Sequence, residues 1–170
     1  SIEHIMRAFP AAAAASDSVR DLADLCRLLA RAQPRRRRGK HARLKGERWY
    51  DAALDRCLEL LRSPSPTRYD ARDLSTLAHA LSLLPMQFHA RDVELVDLLG
   101  QHIAASVACT LERKEEVSDH NECCCWDERA VATAMSALAK LSVRHEPAML
   151  ALSQLANRLE SSLGPQATTT

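Results

Sequence analysis

One fifteen-residue pattern returns three times in this chain, and a chain that repeats one helical unit has few folds open to it. The copies are Ser18–Ala32, Asp70–Leu84 and Asp127–Leu141. Each opens on Ser or Asp, whose side-chain oxygen can accept from the free N–H groups of a first helical turn. Asp21 and Asp73 follow three residues later, at the positive end of the helix dipole, where the third copy has Ala130. Apolar residues then occupy the fifth, eighth, ninth, twelfth and fifteenth positions: Leu22, Leu25, Cys26, Leu29 and Ala32; Leu74, Leu77, Ala78, Leu81 and Leu84; Val131, Ala134, Met135, Leu138 and Leu141. That spacing describes a helix with one buried stripe. A strand is excluded, because nothing alternates with period two and alanine-rich runs disfavour strands. Small residues at the sixth position (Ala23, Ser75, Ala132) and at the eleventh of two copies (Ala80, Ala137) would let a neighbouring helix approach closely. Leu28 breaks that rule in the first copy.

A second amphipathic segment follows each copy. Ala53, Leu54, Cys57, Leu58 and Leu61 share a face between Trp49 and Leu61. Val93, Val96, Leu99, Ile103 and Val107 do so between Arg91 and Val107. The last segment has Pro147 in its first turn, where proline is tolerated, and carries Met149, Leu152, Leu155, Ala156 and Leu159 on its stripe. The pairs thus span 18–61, 70–107 and 127–163, inside one region covering 18–163. A single pair has too little apolar surface to close a core, whereas neighbouring pairs can stack. The expected fold is all-α: an α-solenoid of antiparallel helix pairs with loop insertions at 34–48 and 110–126. Residues 1–17 read as the end of a preceding helix and a linker, and 164–170 as a tail. The chain starts with Ser1 inside an apolar helix-like fragment, which suggests a piece of a longer protein.

The totals fit a helical chain, with 46% hydrophobic residues, 4% aromatic and four glycines. A net charge of +1 selects no partner, but the distribution of charge is uneven. Nine Lys or Arg lie between Arg31 and Arg48 against the single acid Glu47, so the remainder is net acidic. A membrane span is not expected, since no run approaches about 18 apolar residues. Of the six cysteines, Cys26 and Cys57 fall on apolar helical positions, where a thiol behaves as a small hydrophobe. That usage favours a reducing compartment over a disulfide framework.

Asp70, Asp73, Leu74, Leu77, Ala80, Leu81 and Leu84, in a 38-residue helix pair from Asp70 to Val107, resemble the octotricopeptide-type repeats. Asp127, Val131, Ala134, Ala137, Leu138 and Leu141 match the same pattern with substitutions. These repeats belong to organellar RNA-binding proteins, many with a terminal RAP domain, and related forms are heptatricopeptide-like. The resemblance implies binding of rRNA or an organellar transcript in the mitochondrial matrix, with the mitochondrial ribosome or another ribonucleoprotein as host. Two departures stand against it. The units start 52 and 57 residues apart, and no RAP domain is visible.

If the first helices line a concave surface, their third, seventh, tenth and fourteenth positions face a ligand. Those residues are Arg20, Asp24, Arg27 and Arg31; Arg72, Thr76, His79 and Leu83; Arg129, Thr133, Ser136 and Lys140. Guanidinium groups suit phosphates, and Thr, Ser and His can reach base edges; a merely solvated face is the competing account. The basic loop is the stronger electrostatic candidate, through Arg35, Arg36, Arg37, Arg38, Lys40, Arg43, Lys45 and Arg48. The candidate RNA contacts are those eight together with Arg20, Arg72, Arg129 and Lys140.

His120 with Cys123, Cys124 and Cys125 has metal-ligand residue types, and Cys109 or His145 could complete a set. Three consecutive cysteines do not converge readily on one tetrahedral ion, so no metal is expected. There is no glycine-rich phosphate loop, nucleophile elbow or paired-carboxylate motif, so the chain reads as a non-enzyme without a cofactor. The competing function is a protein–protein scaffold that clasps a partner helix in its groove.

Overall fold

The computed structural model describes residues 11–12, 15, 18–32, 48–62, 69–84, 90–112, 126–141 and 145–162. All six elements are helices: α1 (Val19–Ala32), α2 (Arg48–Arg62), α3 (Ala71–Leu83), α4 (Ala90–Glu112), α5 (Glu128–Lys140) and α6 (Glu146–Ser162). There is no strand among the described residues.

The repeated sequence starts each first helix by the same chemistry. Asp70 and Asp127 sit in extended backbone, and their carboxylates accept from the N–H of Asp73 and of Ala130, both at 2.6 Å. Ser18 does the equivalent for α1, accepting from the Arg20 N–H at 3.2 Å. Each bond satisfies one of the donors that a helix start leaves without an intrahelical partner.

The helices pack in two rows. One runs α1, α3, α5 and the other α2, α4, α6, with α1 on α2, α3 on α4 and α5 on α6 holding the rows together. The central members α3 and α4 each touch neighbours on both sides, whereas α1 does not reach α5. Between the rows lies one continuous core. Leu22, Leu54, Leu61, Leu74, Leu77, Leu81, Leu95, Leu99, Ile103 and Leu141 are its largest fully buried side chains.

Position within the unit decides which neighbour a residue meets. At the eleventh position Ala80 and Ala137 are buried, while Leu28 on α1 is 53% exposed. At the sixth, Ala23 and Ser75 are buried and Ala132 on α5 is exposed. The eleventh position therefore faces the preceding unit and the sixth the following one. Leu28 and Ala132 are exposed because α1 and α5 stand at the two ends of the described row.

The second row departs from its sequence pattern. Val93 was expected on the buried stripe of α4 and is 41% exposed. Asp92, Leu95, Gly100, His102 and Ser106 are buried in addition to Val96, Leu99, Ile103 and Val107. A helix packed against α2, α3 and α6 at once buries an arc wider than one stripe. The same helix continues to Glu112, so the expected insertion at 110 begins inside it. Half-buried Leu111 packs on the core, and its carbonyl accepts from the Arg158 guanidinium of α6 at 2.9 Å. The last carbonyls of α2 are met in the same way. Tyr69 Oη donates to Leu60 O at 2.6 Å, and His102 Nε2 lies 2.7 Å from Leu61 O, with the Tyr69 and His102 rings edge to face. His102 Nδ1 is left buried without a hydrogen-bond partner.

Gly100 is where α4 comes closest to the start of α6. A Cβ there would fall 2.3 Å from His145 Cγ. The imidazole cannot swing away freely, because its Nδ1 accepts from the Ala148 N–H at 3.1 Å and so caps α6. Gly100→Ala should therefore destabilise the fold by about 1–3 kcal/mol, although alanine is the better helix former. In thermal melts, His145→Ala should lose its cap yet relieve the clash. The double variant should then be more stable than the sum of the two single losses allows. Simple additivity would show that the close approach does not constrain the fold.

Candidate nucleic-acid interface

Edge-to-edge packing of α1, α3 and α5 leaves a groove of about 910 Å3 across their polar faces. Arg20, Asp24 and Arg27 line it from α1, and Arg72, Ser75, Thr76 and His79 from α3. From the third unit come Asp127, Arg129, Thr133, Ser136 and Lys140, with Ala130 and Ala132 as the apolar part. The structure thus brings together ten of the twelve residues on the sequence-derived polar stripe. The other two are Arg31, which lies in the last turn of α1, and Leu83, which is 43% exposed and outside the groove.

The third-position arginines share a position but not an environment. Arg20 Nε donates to Asp73 Oδ1 at 2.8 Å, and a terminal nitrogen of the same guanidinium to Asp70 Oδ2 at 3.2 Å. The side chain of one unit thereby clasps the cap and first turn of the next, so the first turns of α1 and α3 lie together. Asp73 holds the Arg20 guanidinium above its ordinary range. The Asp73 carboxyl is itself raised, because burial and the neighbouring Asp70 outweigh Arg20. Arg20 therefore moderates a cost that partial burial of Asp73 creates. At the position equivalent to Asp73 the third unit has Ala130, which has no carboxylate to offer. Arg72 and Arg129 are exposed and form no ion pair among the described residues.

A second cationic group lies further along the same helices. Arg27 on α1 and His79 on α3 face the groove about two and a half turns beyond their caps, and Lys140 on α5 about three and a half turns beyond its own. Arg27 is within 3.3 Å of Asp24, an i,i+3 pair with both partners well exposed and so of small energy. Burial first, then the charges of Arg27 and Lys140, lowers the His79 pKa from its ordinary value. The imidazole thus registers a positive local potential. Between the two groups, the hydroxyls of Thr76, Thr133 and Ser136 form no hydrogen bond among the described residues. Asp127 Oδ1 accepts the α5 capping bond.

Of the sequence-derived RNA contacts, the groove holds Arg20, Arg72, Arg129 and Lys140. Arg35, Arg36, Arg37, Arg38, Lys40, Arg43 and Lys45 lie outside the described residues, and Arg48 is the first residue of α2. Arg27 and His79 belong to the predicted stripe but not to that contact set, because selecting recurrent arginines passes over them. His120 and Cys123, Cys124 and Cys125 lie outside the described residues. Cys109 is half-buried on α4, and His145 serves as the α6 cap, which removes it from the metal set suggested by the sequence. Cys26 and Cys57 are buried together, and contact with Cys26 and burial hold the Cys57 thiol well above its usual range. No protein-family model, curated protein or solved structure matches the chain.

The contrast between Arg20 and Arg72 has a measurable consequence. Arg20→Ala should lower the melting temperature, since it leaves Asp70 and Asp73 side by side without their cation. The loss should be at most about 1 kcal/mol for so exposed a pair. Arg72→Ala should leave the melting temperature unchanged. Asp73→Asn should be neutral or mildly stabilising near neutral pH. A carboxyl raised by folding binds more protons folded than unfolded, so stability falls as pH rises from its ordinary 3.8 through the folded value. The amide should remove that decline from a melting series in pH.

Proposed function

We propose that this protein is a non-catalytic, RNA-binding helical-repeat protein. In this reading the two helix rows are a short α-solenoid of antiparallel pairs, and the groove across α1, α3 and α5 holds a single RNA strand by its phosphates. The observation that carries it is a cationic edge: Arg72 and Arg129 line the groove and, among the described residues, form no ion pair, beside hydroxyls that form no hydrogen bond there. Guanidinium groups make bidentate bonds to phosphate oxygens, and neighbouring hydroxyls supply contacts to sugar and base edges. The basic segment from Arg35 to Arg48 supports the same reading from sequence, as a source of further phosphate contacts.

The octotricopeptide-like pattern extends the proposal to the cell. A mitochondrial matrix protein held in a ribonucleoprotein, with the mitochondrial ribosome as the leading host, would use such a groove to fix rRNA or a transcript. No step in that role needs a catalytic group or a cofactor. The scaffold alternative is less well supported. An amphipathic partner helix docks by its apolar face, and among the described residues that line this groove Ala130 and Ala132 are the apolar ones.

Fluorescence anisotropy with an unstructured single-stranded RNA oligonucleotide, across a salt series, tests the proposal. Affinity should fall steeply with salt, and each of Arg72→Ala, Arg129→Ala and Lys140→Ala should reduce the log–log slope by about 0.7. Replacing Arg35, Arg36, Arg37 and Arg38 together by Ala should remove more of the slope than any groove variant. No binding by the wild type, or a slope that none of these variants changes, overturns the RNA reading and leaves the scaffold.

A further inference from the structure

We propose that Arg27, His79 and Lys140 form a phosphodiester subsite whose strength is set by the protonation of His79, giving the groove an acid-strengthened grip on RNA. This inference rests on the RNA reading of the groove and assigns regulation to one end of it.

The argument begins with placement. The three side chains come from three different helices and line one groove, although Arg27 and Lys140 are separated by more than a hundred residues in sequence. Three groups that carry or can take up positive charge, one of them already paired with Asp24, thus line one part of the groove. Sequence position puts His79 about 10 Å along α3 from Arg72, and Lys140 about 16 Å along α5 from Arg129. The groove therefore offers two phosphate-sized cationic stations with Thr76, Thr133 and Ser136 between them. A strand can span both stations and a lone phosphate cannot.

His79 is the variable member. The charged groups facing it are Arg27, with its partner Asp24, on α1; Arg72 on α3 itself; and Lys140 on α5. No charged residue of α4 lines the groove. Burial and the two nearby cations keep the imidazole neutral at neutral pH in the free protein. A phosphate placed between Arg27 and Lys140 reverses the balance, because its negative charge favours the imidazolium. Binding and protonation are then linked. The bound strand raises the His79 pKa, and lowering the pH tightens the bound strand by the same coupling. When neutral, His79 can still donate one ring N–H; when charged, it adds a charge-assisted bond.

RNA binding to the full chain is measured between about pH 8 and about pH 5.5 at constant ionic strength, where imidazole titrates. Wild type should tighten on the order of fivefold towards acid, the scale of one partly exposed charge contact. His79→Gln should keep the affinity seen at high pH and lose the tightening. His79→Arg should bind tightly at both ends, since its charge does not titrate. Arg72→Ala with Arg129→Ala should weaken binding throughout but retain the pH response. Inorganic phosphate at matched charge should compete only weakly, because it cannot span two stations. Equal melting temperatures across the variants exclude a folding effect. A tightening that survives in His79→Gln, or strong competition by inorganic phosphate, overturns this subsite while leaving RNA binding intact. Absence of RNA binding at every pH removes the groove reading itself, and with it this proposal.

Discussion

Everything in the groove depends on how closely α3 can lie between α1 and α5. That approach is set by small side chains: Ala23 and Ser75 facing forward, Ala80 and Ala137 facing back, all buried. A leucine at any of these positions would hold two first helices apart and lose dispersion contacts along the whole interface. Leu28 is tolerated because it is exposed on the side of α1 away from α3, where Ala12 and Ala15 lie. With the backbones this close, residues at the third, seventh and tenth positions of three separate helices share one surface. Fifteen-residue units that start more than fifty residues apart thereby build a single site.

The same closeness makes electrostatics part of the stacking. Arg20 ties α1 to α3 through two carboxylates, one of which is also the α3 cap. Between α3 and α5 the packing is taken over by Ala130, and Arg72 is released to the groove. One residue type at one repeat position thus has two roles, decided by whether the following unit has Asp or Ala three residues beyond its cap. The second row uses a different device. Arg91 joins Asp51 and Asp55, and Arg62 joins Glu94 at 2.6 Å, so surface pairs link α2 to α4 without shaping a groove. Such exposed pairs contribute little each, which leaves the shared core of leucines as the main source of cohesion.

How much of this was legible from sequence follows from the range of each interaction. Caps and stripes are local. The capping of α3 and α5 by Asp70 and Asp127, and the polar stripe that becomes the groove, can be read from spacing alone, because helix periodicity projects onto space without knowledge of the neighbours. Environment is not local. The exposure of Val93 and the burial of Asp92, His102 and Ser106 follow from α4 touching three helices, which a stripe count on one helix cannot register. Neutralisation of Arg20 needed the pairing of residues fifty apart. Likewise the use of His145 as a cap pressed on Gly100 has no signature in either residue's neighbourhood. The basic run from Arg35 to Lys45 stands out most in the sequence and falls outside the described residues, whereas the cations of the groove are placed by α1, α3 and α5.

That placement changes what kind of binding the molecule can support. A run of consecutive arginines attracts any polyanion and discriminates little, because phosphate spacing is common to all strands. Cations carried on three packed helices are different, since the spacing of those helices is held by Ala23, Ser75, Ala80 and Ala137. Fixed separations favour one strand geometry and lower the ordering cost of contact, which is the condition for selectivity beyond charge. The closeness that the small residues permit therefore supplies both cohesion to the first row and geometry to the groove. A substitution that loosens α3 from its neighbours should disturb the groove more than the core, because the leucine core is shared by the six described helices and the groove by three of them.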